Sequence, residues 1–281
     1  METEIFQKDT SVSEHTHVPK LVVFDLDDTL VESKQPLEAD MAELLRTLLG
    51  VTRMAVISGG HLERMEEQFL PSLNGTPEQL KNLTLAPTCG MSMYTYETEW
   101  SSKYRYDLTP EEKDRIRRAF DEHVFDKLYT IPETYWGEIL EDRKTMLAFA
   151  GLGSAAPVAD KRAWDPDRAK RLAICEAILP HLEDSFEVRA SGTTSIDITR
   201  KGVDKAYGIR QLEAHIGVPV ADMLFIGDAL YEGGNDYPVI STGIRITEVK
   251  NHHHTKEVIR DFLAQERCPD CGIGGGEVDV E

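Results

Sequence analysis

The chain has 281 residues, 41% of them hydrophobic, with 31 basic residues against 50 acidic ones and a formal net charge of −19. That length suits one large domain or two ordinary ones with a sizeable core. The acidic balance argues against a nucleic-acid partner, whose binding rests on cationic contacts to phosphates, and it also repels phosphorylated substrates unless a metal and a local basic pocket overcome the field.

The first twenty residues are polar and lack the apolar centre of a signal peptide. No apolar run approaches the ~20 residues of a membrane helix. A soluble, cytoplasmic protein is expected, with no membrane partner, as a monomer or a homodimer.

Residues 21–24, LVVF, form an apolar run suited to a buried strand, and the run ends on Asp25, with Asp27 and Thr29 following at alternate positions. Carboxylates at the tip of a buried strand are costly unless a cation or a ligand needs them there. One can attack phosphorus as a nucleophile, and the other can pass a proton to the leaving oxygen. The plainer alternative is a strand followed by an acidic turn.

PLEADMAELLRTLLG predicts an amphipathic helix, with Pro36 in its first turn, Gly50 at its end, and Leu37, Met41, Leu44, Leu45 and Leu48 as the buried stripe. MAVISGG is a second strand, ending on Ser58 and Gly59, where a hydroxyl and backbone N–H groups can hold phosphate oxygens. HLERMEEQFL follows as a helix whose charges read as a solvated face. Strand, helix and strand at this spacing predict a parallel, right-handed crossover. Residues 82–87 read as a further short strand.

The middle of the chain changes character. YTYETEWSSKYRYDL alternates aromatic and polar residues, as half-buried antiparallel strands do. TPEEKDRIRRAF predicts a helix with Thr109 as N-cap, Pro110 at the first helical position and Glu112 completing a capping box. EILEDRKTMLAFAG reads as strand, GSAAPVADKRAW as an irregular loop, DPDRAKRLAICEAIL as a helix capped by Asp165, and FEVRAS and TTSIDITR as strands. Two helices on an antiparallel sheet make an α+β layer.

Lys205 opens a helical pattern, near the N-terminus where anions bind well; the alternative is a solvated surface lysine. MLFIGD is a third apolar strand ending in acid, Asp228, and GGND brings Asn235 and Asp236. A third carboxylate at a third strand end completes an oxygen-ligand site suited to Mg²⁺.

These motifs, DLDDT, ISGG, Lys205 and GD…GGND, together resemble the haloacid-dehalogenase superfamily of phosphotransferases, in the branch with an inserted α/β cap (subfamily IIB). The resemblance covers most of residues 20–265. It implies an α/β fold, a Rossmann-like parallel-sheet core with an inserted α+β cap that sets specificity; the pattern of elements puts the cap at 93–198 and the core at 1–92 and 199–265, and the Gly-rich composition makes 266–281 a flexible tail. It implies Asp25 as nucleophile, Asp27 as general acid/base, and Ser58, Gly59 and Lys205 as phosphoryl binders. It also implies Mg²⁺ held by Asp25, the backbone carbonyl of Asp27 and Asp228, with Asn235 and Asp236 in support.

FIGDALYEGGNDYPV, SGGHLERMEEQF, EDRKTML and SGTTSIDITRKGVDK look, more narrowly, like the eukaryotic-type phosphomannomutases. That likeness implies substrate contacts from Arg143, Ser195 and Asp197. Lys34 stands where that subfamily has an arginine, and Trp136 and Ser154 stand near two further arginines that grip a distal phosphate. A mutase must hold a bisphosphate at both ends, so the departures favour a Mg²⁺-dependent phosphatase of a phosphorylated sugar or similar small metabolite. A phosphomannomutase and a non-catalytic phosphate- or metal-binding module are the alternatives.

Cys89 and Cys175 read as core thiols. Cys268 and Cys271 form half of a zinc-ribbon signature, with His252, His253 and His254 as possible nitrogen ligands. No second CxxC exists, so polar residues before a last helix and a Gly-rich, disordered tail are the better reading.

Overall fold

A computed structural model describes residues 19–32 and 35–267. Lys34, Cys268 and Cys271 lie outside the described residues. In chain order the elements are β1 (Leu21–Asp25), α1 (Ala39–Leu49), β2 (Arg53–Ile57), α2 (Leu62–Gln68), α3 (Leu70–Leu73), α4 (Pro77–Leu80), β3 (Leu83–Ala86), β4 (Ser92–Tyr96), β5 (Trp100–Arg105) and α5 (Pro110–His123). There follow β6 (Leu140–Asp142), β7 (Leu147–Ala150), α6 (Val158–Trp164), α7 (Ala169–Leu182), β8 (Phe186–Ser191), β9 (Ser195–Arg200), α8 (Lys205–Ile216), β10 (Met223–Gly227), β11 (Arg245–Glu248) and α9 (His252–Arg267).

Among the described residues the strands form two sheets. The larger runs β11-β10-β1-β2-β3-β4-β5 and is parallel from β11 to β3. Its central strands are apolar on both faces because helices cover both. Val22 and Phe24 pack with the side that holds α1 and α9, whereas Leu21 and Val23 pack with Ile209 and Leu212 of α8. This is the expected α/β core.

The hairpin of β4 and β5 corrects the expected partition, because it extends the core sheet as two antiparallel strands instead of belonging to the cap. Alternation marks such strands as half-buried and antiparallel but says nothing of which sheet they join.

The second sheet, β6-β7-β9-β8, is antiparallel. α5 and α7 cover it, and Ile116, Phe120, Ile174 and Ile178 meet Phe149, Ile196 and Ile198 in a separate core. This is the α+β cap layer. Thr109 and Glu112 form the capping box of α5. Residues 138–151 are two strands rather than one, turned by Lys144 in the left-handed region. The stretch expected as an irregular loop contains α6.

Two helix starts also differ from expectation. α1 begins at Ala39 with Glu38 as N-cap, so Pro36 precedes the helix. Asp165 sits well before α7, yet its carboxylate accepts from the backbone N–H groups of Lys170 and Arg171 at 3.0 and 3.1 Å. It also accepts from Arg171 Nε at 2.7 Å, in an ion pair buried on both sides.

Two contacts fix the cap over the core. Thr145 Oγ1 donates to Thr88 Oγ1 at 3.1 Å. Arg200, at the end of β9, donates to the backbone carbonyls of Tyr106 and Asp107 at 2.9 and 2.8 Å, and through Nε to Glu112 at 2.8 Å. Beneath, α8 meets the turn at residues 88–90 without a side chain between them. A Cβ on Gly90 would lie 2.7 Å from Gly208 Cα, and one on Gly208 would lie 2.2 Å from Ile57 Cδ1.

Candidate active site

The carboxyl ends of β1, β2 and β10 lie side by side, where ligands bind in open α/β sheets. β1 delivers Asp25 to this edge, and the chain then turns tightly. Asp28 takes a positive φ of 59° and its N–H donates to Val31 at 2.7 Å, so Asp27 stands just beyond the strand tip. β2 delivers Ser58, buried, whose Oγ accepts from Gly60 N–H at 3.0 Å. Gly59 is exposed, with open space where a side chain would be.

Lys205 is the first residue of α8, whose N-cap is Asp204. Its Nζ donates to Asp25 Oδ1 at 2.6 Å and also, at very short range, to Asp236 Oδ1. Asp25, Lys205 and Asp236 are all buried. Asp228 follows β10 and accepts from Thr29 Oγ1 at 3.0 Å. The second oxygen of Asp236 accepts from Ala229 N–H at 3.0 Å. Asn235, next to it, is exposed.

Carboxylate oxygens of Asp25, Asp228 and Asp236 lie within 4.8 Å of one another. Burial pushes Asp25 up to about 7, an effect Lys205 opposes and Asp236 reinforces. Asp228 is raised as well, by burial first and by Asp236. Burial alone would lower Lys205, but Asp25 and Asp236 outweigh it and raise it above its ordinary value. One ammonium thus serves three crowded carboxylates. An all-oxygen set with surplus negative charge fits a hard divalent cation, and these three side chains could hold one.

The cap supplies further groups. Arg143 lies in the turn between β6 and β7, paired with Glu141 at 2.7 Å. Ser195 and Asp197 lie on β9. Asp197 Oδ1 is buried with no hydrogen-bond partner among the described residues. Burial raises its pKa, while a Ser191 hydrogen bond and the positive charges of Arg143 and Arg64 oppose the rise.

Trp136 and Ser154 come together in the cap, each hydrogen-bonded through its backbone: Trp136 N–H to Leu152 at 3.0 Å, and Ser154 N–H to Glu138 at 3.0 Å. Lys161 Nζ donates to the Ser154 carbonyl at 2.9 Å.

Sequence reasoning missed two features. Arg64, expected on a solvated face, forms a salt bridge with Asp27 Oδ1. Asp236, expected only in support, sits inside the carboxylate cluster. The signal for Arg64 was its position one turn beyond SGG, at the start of a helix that leaves the same sheet edge.

His252 lies 3.6 Å from Glu38, at the start of α9. Glu38, His252 and His253 could also gather around an ion, but Lys256 already pairs with Glu38 and Asp40 there. The described part of α9 shows no cysteine near them, and the suggested zinc pairing with Cys268 and Cys271 lies outside the described residues.

Residues 159–254 match a family model described as haloacid dehalogenase-like hydrolase. A phosphomannomutase of Schizosaccharomyces pombe is 27% identical over 232 residues, covering 80% of this chain and 87% of that protein. A phosphomannomutase of Encephalitozoon cuniculi is 27% identical over 229 residues, covering 78% and 83%.

Among solved structures, a haloacid dehalogenase-like hydrolase from Bacteroides thetaiotaomicron aligns with a TM-score of 0.61 at 16% identity, over 86% of this chain and 99% of that one. An IMP-bound IMP-nucleotidase from Plasmodium falciparum aligns with a TM-score of 0.59 at 13% identity, over 88% and 68%. Among the described residues no helix is long and apolar enough to cross a membrane. Sequence and fold alike support a reading of the chain as similar to the haloacid-dehalogenase superfamily, with a likeness to the phosphomannomutases.

Proposed function

We propose that the chain is a Mg²⁺-dependent phosphatase that hydrolyses a phosphorylated sugar or similar small metabolite through an aspartyl-phosphate on Asp25. The observation that carries this reading is the buried cluster of Asp25, Lys205, Asp236 and Asp228 at adjacent strand ends, with Asp27 beside it and a cap above.

Asp25 attacks phosphorus with a carboxylate oxygen while the bond to the leaving oxygen breaks. Asp27 gives its proton to that oxygen, then takes one from the water that attacks the phosphoryl-enzyme. Inorganic phosphate leaves and the Asp25 carboxylate is restored. Lys205 and Ser58 bind the transferring phosphoryl oxygens and offset their charge. A Mg²⁺ ion held by Asp25, Asp228 and the Asp27 carbonyl, supported by Asp236 and Asn235, would supply charge neutralisation at the phosphoryl group. Arg143, Ser195 and Asp197 read the rest of the substrate from the cap.

The second reading is a phosphomannomutase, favoured by the names of the relatives. Weighing against it, Trp136 and Ser154 carry no cationic side chain of their own where a distal phosphate would be gripped; Lys161 lies there, but it is a lysine, not the arginine fork, and its ammonium donates to the Ser154 carbonyl. The test follows inorganic phosphate and isomer together. Incubation with mannose 6-phosphate, Mg²⁺ and a hexose bisphosphate should release phosphate steadily and form no 1-phosphate. Rapid interconversion with little phosphate release makes the mutase the answer. A panel of sugar phosphates and nucleoside monophosphates then identifies the substrate.

A further inference from the structure

Arg64 lies in α2, outside DLDDT, ISGG, Lys205 and GD…GGND, and the stretch SGGHLERMEEQF that contains it implied no role for it. Its side chain is three-quarters buried, and Nη2 pairs with Asp27 Oδ1. Nε donates to Gln68 Oε1, one helical turn on, at 3.1 Å. The stem crosses the turn after β2: a Cβ on Gly60 would lie 3.2 Å from Arg64 Cδ and 3.3 Å from Ser58 Oγ. The absence of a side chain at Gly60 lets the guanidinium reach across to Asp27 while passing beside Ser58.

An ordinary exposed ion pair contributes little, about 0–1 kcal/mol, because both long side chains stay mobile. This one is different in kind. The planar guanidinium is gripped at Nε and Nη2 together, which fixes its orientation. Asp27, just past the strand tip, has no other salt-bridge partner among the described residues. The salt bridge uses Oδ1, leaving Oδ2 for proton exchange.

We propose that Arg64, held by Gln68, is a positioning residue: it fixes the Asp27 carboxyl so that its second oxygen meets the leaving oxygen of the substrate. This rests on the phosphatase reading. Misplacing a catalytic group by about 1 Å can reduce rate ~10²-fold, and general-acid assistance matters most when the leaving group is a poor one.

The experiment therefore compares two leaving groups, a sugar phosphate and 4-nitrophenyl phosphate, whose phenolate needs little protonation. Arg64→Gln should lower kcat for the sugar phosphate by about 10–10²-fold with KM nearly unchanged, and leave the aryl phosphate within about threefold. Gln68→Leu should show the same pattern more weakly, and Arg64→Lys should recover part of the loss. In an Asp27→Asn background, Arg64→Gln should add almost nothing. Equal losses for both leaving groups, a loss confined to KM, or full additivity with Asp27→Asn would overturn the proposal. Failure of the phosphatase reading looks different: Asp25→Asn would retain turnover, or the unaltered protein would release no phosphate from either compound.

Discussion

Replacing Asp25 by Asn should abolish turnover and, at neutral to alkaline pH without divalent cations, stabilise the fold. The carboxyl is buried against Lys205 and Asp236, and its pKa is pushed from 3.8 to about 7. A group raised in this way favours the folded state while protonated. Its contribution is complete below pH 3.8 and is lost as pH rises through 7. A shift of roughly three units corresponds to about 4 kcal/mol at pH 8, an upper figure because the ion pair with Lys205 goes too. Lys205 keeps Asp236 as partner, so no buried charge is orphaned. For a chain of this size a few kcal/mol moves the unfolding midpoint by roughly 5–15 °C. Thermal unfolding of both proteins in chelator, from pH 5 to 8, reads the effect as a difference. The unaltered protein should lose stability across that range, and the variant should lose markedly less. Added Mg²⁺ should restore the unaltered protein at pH 8 by mass action and hardly touch the variant. Parallel pH profiles would refute the reasoning, because they would mean that ionising Asp25 in its buried place has no cost.

Other expectations follow from neighbouring features. Thr29→Val removes the hydroxyl that donates to Asp228 and should weaken divalent-cation binding by about 10–100-fold, measured by titration calorimetry. Asp228→Ala should all but abolish that binding and the Mg²⁺ response of activity. Gly208→Ala places a methyl group 2.2 Å from Ile57 Cδ1 and 2.8 Å from the Cys89 carbonyl. It should push α8 outward, carrying Lys205 with it, and lower both the unfolding midpoint and kcat. Asp165→Ala leaves Arg171 charged and buried in the cap and should destabilise it by about 3–5 kcal/mol in denaturant unfolding, whereas Asp165→Leu with Arg171→Met should recover most of that loss.

Local chemistry was the legible part of this chain. The apolar runs ending on Asp25, Ser58 and Asp228 were readable because a buried parallel strand needs a continuous hydrophobic run and its end is abrupt. Thr109 and Glu112 were readable because a capping box is contained in four residues. What escaped depends on partners distant in sequence. The alternation in β4 and β5 was visible, but joining the core sheet is decided by their pairing with β3. Lys144 turned one expected strand into a hairpin through a backbone conformation that its side chain does not announce. Arg64 looked like one more charge on a solvated helix; only the approach of β1 to α2 reveals that Asp27 waits at its end. Asp236 was placed in the right loop, yet its salt bridge to Lys205 depends on how α8 docks, through Gly90 and Gly208, against the sheet.

The grip of Arg200 on the crossing points has a mechanical consequence. The chain enters the cap after β5 and leaves it through β9, and one guanidinium holds the entering backbone at Tyr106 and Asp107 while also binding Glu112 at the start of α5. Two separate tethers would let the cap slide, twist and tilt independently. Pinned together, they act as a single pivot. The softest remaining freedom is rotation about that pivot, with the Thr145–Thr88 hydrogen bond as a latch near the site. Cutting the pin, as in Arg200→Ala, would leave the latch intact and add degrees of freedom, so substrate would have to be caught by a cap with many half-closed poses instead of one.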